Sequence, residues 1–442
     1  MKENNISIII PSCSDFNRGD QALVLETMNV IKKANIATKV YMMSNNETKQ
    51  CKEFGIDEFE PILKHPSRFD NNSSNIKYGI LLKFRWGIIA CFDYIKSQII
   101  LNNVTRTLVK PLLSKKMKKS LSLYKKCNSC FVKGGGFLHD YSGGLIGRYT
   151  MYYQLYHIKL ALKMNKKVYI MPNSFGPFKS NRTEKMVNKV LDKCKLVTAR
   201  ESISASKESN GLKRNIELYP DLAFFLTQTD KEQIKLYLED KFELDFIKSK
   251  YVAITVRPYR FYNSDNPEKK YEEYKGAFVE FIKYLETKNY VPLLVVHTRA
   301  ENDHENDERC IREISQTLND NKHVIIDDKK LNCKDLKAIY NCCEYVVGTR
   351  FHSVIFSIAN KIPAIAITYG GNKGDGIMKD MKLSDYAIKI SDLNFNELIT
   401  KFENMEKNKE QIKEKIEVYL KDAQKKHEEL IEKIISEQKQ GE

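Results

Sequence analysis

Ile6-Ser7-Ile8-Ile9-Ile10 opens the stretch that decides the fold. A polar turn runs from Ser12 to Asp20, an apolar-periodic segment from Gln21 to Ile31, and Lys39-Val40-Tyr41-Met42-Met43 completes it. Strand, loop, helix and strand in that order make a βαβ unit with a right-handed crossover. The rhythm resumes with strands at Ser129–Lys133, Lys167–Met171 and Leu196–Thr198. A second series has strands at Tyr251–Val256, Val291–His297, Val324–Asp327, Tyr345–Gly348 and Ala364–Thr368, separated by helical patterns such as Tyr271–Thr287 and Asp335–Cys342. Strands that are apolar almost throughout and alternate with helices belong to parallel sheets covered on both faces. The sequence thus predicts an α/β protein with two such sheets.

At 442 residues the chain exceeds the length of about 250–300 at which one core stops growing. Residues 1–228 are read as the first domain and 250–393 as the second, joined by the charged stretch Thr229–Lys250. Residues 394–442 read as a Lys/Glu-rich helical tail with Ile416, Tyr419, Leu430 and Ile434 at helical spacing, suited to packing on the body or to coiled-coil association. Ligands of open α/β sheets bind outside the carboxyl ends of the strands, here in the cleft between the domains.

A composition of 42% hydrophobic and 29% charged residues excludes a mainly disordered chain. With 73 Lys and Arg against 57 Asp and Glu, the net charge is +16, which points to an anionic partner. Most of that excess sits in a basic insert, 77–126, which also holds the single Trp86 with Phe84 and Phe92. Such a segment reads either as an element for an anionic membrane surface or as a helical hairpin with a solvated basic face. No nucleic-acid motif accompanies the charge, so no nucleic-acid partner is expected. The polar start, and the lack of any window near 18 uncharged apolar residues, set the expectation of a cytoplasmic protein without a spanning helix. Among ten cysteines, Cys127 and Cys130 form the one CxxC, with no second ligand pair at metal spacing, so no metal is expected.

The candidate site residues stand where strands end. Asp20 follows Gly19 after the first strand and would either face a ligand or cap the next helix. Gly134-Gly135-Gly136 is either a backbone nest for an oxyanion or a tight crossing of two elements. His139 and Asp140 come directly after it. Asn173 and Ser174, in Pro172–Phe178, are read as a ligand loop or a rigid turn; Arg200 is read as a ligand cation or the partner of Glu201. In the second half, Arg257 ends one strand, and Arg350 and His352 end another, two residues apart so as to share a face of extended chain. Two guanidinium groups with a His suit a ligand bearing both carboxylate and phosphate. Lys373 adds a cation in a Gly-rich loop after the next strand.

This ordered set resembles the polysaccharide pyruvyl transferases. The matching pieces are Gly19-Asp20-x-Ala22, Gly134-Gly135-Gly136, Ser174-Phe175-Gly176-Pro177, Ala199-Arg200-Glu201-Ser202, Pro220–Phe224, Val256-Arg257, and Gly348-x-Arg350-x-His352-Ser353 through Pro363 to Tyr369. The resemblance implies two Rossmann-like domains facing a cleft, as in GT-B glycosyltransferases. It implies transfer of pyruvate from phosphoenolpyruvate onto two hydroxyls of one sugar of a cell-envelope polysaccharide precursor, forming a ketal without a metal or other cofactor. Arg350 and His352 match the donor motif, and Arg257 matches by position. Gly135, Gly136, Asn173, Ser174, Arg200 and Lys373 are grouped with them on the donor.

His352 is expected to donate a proton from a pKa near working pH, with Asp20 or His139-Asp140 as base. A GT-B glycosyltransferase using a sugar nucleotide is the alternative. Because the donor is cytosolic, the expected acceptor is a glycan precursor not yet exported, one form of which is lipid-linked, with the enzyme peripheral on the inner face of the membrane through 77–126.

Overall fold

The computed structural model describes residues 5–44, 48–63, 80–140, 143–206, 211–300, 304–318 and 322–439. Lys77, Tyr78 and Gly79 of the basic insert, and the last three residues of the tail, lie outside them.

Two parallel sheets carry the chain. In the first, β1 (Ile6–Ile10) leads through α1 (Arg18–Lys33) to β2 (Lys39–Met43), and α2 (Lys49–Glu53) precedes β3 (Asp57–Phe59). The described insert is helical: α3 (Ile80–Leu101), α4 (Asn103–Val109) and α5 (Lys115–Lys126). Next come β4 (Ser129–Val132), β5 (Gly135–Asp140), α6 (Gly144–Lys163), β6 (Lys167–Phe178), α7 (Asn181–Leu191), β7 (Leu196–Ala199), α8 (Ser202–Ala205) and β8 (Glu217–Leu218). The strand order is β3-β2-β1-β4-β6-β7-β8, with β5 paired to β6.

The second sheet follows α9 (Lys231–Phe242). Its elements are β9 (Lys250–Thr255), α10 (Pro267–Thr287), β10 (Tyr290–Val295), α11 (Asp307–Leu318), β11 (Val324–Ile326), α12 (Cys333–Asn341), β12 (Tyr345–Gly348), α13 (Phe351–Ala359), β13 (Ala364–Thr368), α14 (Lys373–Asp380) and β14 (Ala387–Lys389). The order is β11-β10-β9-β12-β13-β14, every pair parallel. Val252, Ala253 and Ile254 of β9, and Val346 and Val347 of β12, are fully buried, as central strands with helices on both faces require. Each fully buried Val or Ile of this kind contributes about 1.5–3 kcal/mol.

Both sheets reverse direction beside their central strand. The first does so between β1 and β4, the second between β9 and β12. Crevices at such reversals, outside the carboxyl ends of the strands, are where ligands of open α/β sheets bind. The carboxyl ends of the two sheets meet: Asn17 forms an antiparallel bridge with Thr298, and the Arg299 N–H donates to the Phe16 carbonyl at 2.7 Å.

Local chemistry moves several boundaries. α1 starts at Arg18 because the Asn17 side chain accepts the Asp20 N–H; Asn17 is therefore the cap, and the Asp20 carboxylate is left for other partners. Asn332 and Asp335 form a capping box that starts α12 at Cys333. β6 runs through Phe178, so Pro172–Phe178 is extended strand rather than a loop. Of the tail, α15 (Phe395–Lys407) and α16 (Lys409–Lys439) pack back on the body. α16 reaches the first sheet, where the Tyr169 hydroxyl donates to Gln438 Oε1 at 2.8 Å and Lys433 pairs with Glu217 at 3.1 Å.

Candidate active site between the two sheets

The cleft between the facing strand ends encloses about 2240 Å³, room for a small donor and a sugar together. Asp20, Gly135, Gly136, His139 and Ser174 line it from the first domain; Arg257, Arg350, His352, Tyr369 and Lys373 line it from the second.

Two arginines bracket the reversal point of the second sheet. Arg257 stands past the end of β9 and Arg350 past the end of β12, and both reach Glu305. Arg257 Nη2 donates to both Glu305 carboxylate oxygens at 3.1 Å, and Arg350 Nη1 donates to Oε2 at 3.4 Å. Arg350 is oriented further by Asp307, whose Oδ1 accepts from Nε at 2.7 Å, and by the Glu305 carbonyl at 2.7 Å from Nη2. Burial opposes the Arg350 charge, but Asp307 and Glu305 more than offset it and hold the guanidinium above its ordinary range. Tyr369 places its ring 4.5 Å from the Arg257 guanidinium carbon. The two guanidinium groups converge on one carboxylate, which is the geometry that a ligand carboxylate or phosphate requires.

Arg350 and His352 do not share a face. α13 begins at Phe351, so Arg350 is its N-cap and His352 lies in its first turn. Arg350 turns to Asp307, whereas His352 turns to the first domain. There Gly19 meets the His352 ring so closely that a Cβ on it would stand 1.9 Å from Nδ1. Lys373 Nζ lies 3.4 Å from Nδ1 and 3.3 Å from Nε2, and Asp221 Oδ2 is 4.0 Å from Nε2. Burial, then Lys373, Arg200, His297 and Lys133, push His352 well below its ordinary range. Against the expectation of a His352 that titrates near working pH, its burial first, and the cations around it second, disfavour the charged ring in the free molecule. Burial and Arg200 also lower Lys373, to about 7.

Asp20 and Lys133 mark the reversal point of the first sheet, with Asp20 Oδ1 2.7 Å from Lys133 Nζ. Asp20 remains partly exposed to the cleft, a position suited to a base. The other candidate base divides. His139 lines the cleft, but burial holds it at about 4, which makes it a weak base. Asp140 accepts the Gly143 N–H at 2.8 Å and the Thr183 hydroxyl at 3.0 Å, so its carboxylate holds its own domain together.

Three residues expected on the donor lie under the cleft floor or form part of it. Asn173 is fully buried and donates to the Lys133 carbonyl at 3.1 Å, since Pro172–Phe178 is strand and not loop. Arg200 is buried, with Nη1 on Asp221 Oδ2 at 2.7 Å and Nε on Ser174 Oγ at 2.8 Å. Ser174 in turn donates to Glu201 at 3.0 Å. Arg200 thus supplies positive potential to His352 and Lys373 from below. The glycine run is a tight crossing: a Cβ on Gly134 would meet the Pro172 carbonyl oxygen at 2.7 Å, and one on Gly136 the Arg200 Nη2 at 2.9 Å. Gly135 and Gly136 still line the cleft, but on extended strand.

Sequence reasoning missed Glu305, Asp307, the stacking of Tyr369 on Arg257 and the Lys133–Asp20 pair. Lys133 was visible as a lysine ending an apolar strand, a polar residue out of pattern. Glu305 and Asp307 sit in an acidic, polar run that reads like any solvated surface.

A family model described as polysaccharide pyruvyl transferase matches residues 17–371. Amylovoran biosynthesis protein AmsJ of Erwinia amylovora is 27% identical over 299 residues, 66% of this chain and 68% of that protein. Among solved structures, an S. aureus MnaA–UDP co-structure aligns over 93% of this chain and 90% of its own at 12% identity, with a TM-score of 0.56. A glycosyltransferase from Rickettsia africae aligns over 100% of both chains at 14% identity, with a TM-score of 0.51. At these identities the two structures share the fold alone: two Rossmann-like domains about a cleft.

Proposed function

The chain belongs to the polysaccharide pyruvyl transferase family, and from that premise we propose that it moves the pyruvyl group of phosphoenolpyruvate onto two hydroxyls of one sugar as a cyclic ketal. It is a transferase of polysaccharide biosynthesis by family. The observation that carries the finer reading is the convergence of Arg257 and Arg350 on a single carboxylate, facing His352 and Lys373 in the same cleft. A donor with one carboxylate and one phosphate meets both cationic groups.

A proton is added to the donor's methylene, which becomes the methyl group and leaves cationic character on the adjacent carbon. A sugar hydroxyl attacks there, a second hydroxyl displaces phosphate and closes the ring. Of the two hydroxyl protons lost, one replaces the proton delivered to the methylene and the other leaves with phosphate. Asp20, exposed to the cleft beside Lys133, takes the hydroxyl proton. His352 and Lys373 hold the donor phosphate; its negative charge offsets their mutual repulsion and lets the proton that His352 delivers enter with the donor. Arg257 and Arg350 are oriented before the donor arrives, so charge developing in the transition state meets fixed donors. The reaction proceeds in the cytoplasm on a glycan precursor not yet exported, of which a lipid-linked glycan is one form. The test is phosphate release from phosphoenolpyruvate with a glycan acceptor: release that depends on the acceptor supports the reading, and activity confined to sugar nucleotides overturns it.

A further inference from the structure

Helix α3 is built the wrong way round for a helix packed on its own domain. Leu81, Phe84, Ile88, Phe92 and Ile95 recur at three- and four-residue spacing, so they form one stripe about four turns long. That stripe faces outward: Phe84 is 67% and Phe92 70% exposed. α4 repeats the arrangement with Val104 and Leu108, both exposed. The C-terminal half of α3 is anchored on the body: Ser97, Ile100 and Leu101 are buried, the Tyr94 and Tyr152 rings lie 4.9 Å apart, and Gln98 donates to the Tyr152 hydroxyl of α6 at 2.9 Å. The stripe is therefore carried by a helix attached through its C-terminal half. Scattered apolar residues on a surface need no explanation, but a continuous stripe marks a binding face.

We propose that α3 and α4 dock this protein on an anionic lipid bilayer, with the apolar stripe entering the interface and the mouth of the cleft held at the membrane surface. Charge selects the bilayer over a protein partner of the same kind. α3 carries Lys83, Arg85 and Lys96 and α4 the buried Arg106, Lys110 follows them, and the other six of the eleven Lys or Arg in residues 80–126 sit on the adjoining α5, all against the single acid Asp93. A symmetric pairing of two copies through this face would bring two such basic segments together, whereas an anionic surface attracts each of them. Trp86, Ala90 and Tyr94 line the cleft from the sector of α3 next to the stripe, and Leu145 and Ile146 lie across it at the start of α6. The docked face and the cleft thus share one helix, and an acceptor borne on a lipid reaches the cleft without leaving the surface. Only this last point rests on the proposed function; docking itself stands on α3 and α4.

The experiment is flotation of the full chain with vesicles of phosphatidylcholine alone or mixed with phosphatidylglycerol, needing no turnover. The chain should float with the anionic vesicles, more weakly as salt rises, and not with the neutral ones. The double variant Phe84→Glu/Phe92→Glu should reduce anionic binding by roughly tenfold or more with an unchanged melting temperature, because both side chains are already exposed. Acyl-chain-brominated lipids should quench Trp86, the only tryptophan, in the wild type and not in the double variant. The proposal is overturned if the wild type ignores anionic vesicles at low salt, if the double variant floats as well as the wild type, or if light scattering shows that the stripe is used for self-association in the absence of lipid. Phosphate release with a soluble glycan tests the catalytic reading separately, so the two failures are distinguishable.

Discussion

Lys373 Nζ stands 3.3 and 3.4 Å from the two ring nitrogens of His352, so a base that prefers to be charged is held over another. Both are depressed, Lys373 to about 7. An anion bound between them raises both, and its binding takes up protons. Affinity for phosphoenolpyruvate or inorganic phosphate should therefore weaken as pH rises through about 7. Titration calorimetry in two buffers of different ionisation enthalpy reads the proton uptake directly; equal heats in both buffers would contradict the arrangement.

Removing Lys373 should stabilise the unliganded protein. Its folded pKa lies below its ordinary value, so the unfolded chain binds the proton more tightly and stability falls as pH drops from about 10 towards 7. Lys373→Met should raise the melting temperature by a few degrees, more at pH 6.5 than at pH 9.5, while donor affinity falls. A variant that melts lower at both pH values would show that the lysine is a structural cation.

Gly19 is where the first domain touches His352. A Cβ there would stand 1.9 Å from the ring, so Gly19→Ala must displace it. Transfer should fall by about 10²-fold or more, as misplacement of a reacting group by about 1 Å does, with the fold kept. Wild-type-like kcat/KM in a folded Gly19→Ala protein would remove His352 from the reaction.

The strand sequence was legible in the residues because fully buried parallel strands are apolar almost throughout, and Ile6–Ile10, Tyr251–Val256 and Tyr345–Gly348 are short, β-branched runs of that kind. Side-chain direction was not. Arg350 and His352 are two apart on what looked like strand, yet a helix starts between them and sends them to opposite tasks. Asn173 and Arg200 looked like ligand groups because they follow strands; burial turned them inward, onto the Lys133 carbonyl and the Asp221 carboxylate. Glu305 and Asp307 left no periodic signal, since a loop residue and the first residue of α11 owe their place to tertiary contacts.

Arg200 and Asp221 form a buried ion pair at 2.7 Å, and breaking it leaves an uncompensated charge. Asp221→Ala should cost about 3–5 kcal/mol in urea unfolding. The double variant Arg200→Met/Asp221→Leu should regain part of that loss. Little destabilisation in Asp221→Ala would argue that Arg200 is held for a ligand and not for the fold.

Glu305 occupies both arginines in the free molecule, so the donor competes with it. Glu305→Gln should lower KM for phosphoenolpyruvate several-fold. Asp307→Asn, which removes the charge orienting Arg350, should raise it. Steady-state kinetics that show the two variants moving KM in the same direction would mean that Glu305 helps hold the donor.

The ketal proposed to form in the cleft from phosphoenolpyruvate, with Arg350 and His352 on the donor, is traced by the donor's methylene carbon. Phosphoenolpyruvate labelled with carbon-13 at its methylene is incubated with the protein and a glycan acceptor, and the product is read by NMR. The expected product carries a labelled methyl group on a ketal carbon bonded to two oxygens of one sugar, with phosphate released in equal amount and none formed by Arg350→Ala or His352→Ala. Label that stays in phosphoenolpyruvate or appears only as free pyruvate, or ketal formed at the wild-type rate by either variant, would contradict the proposal.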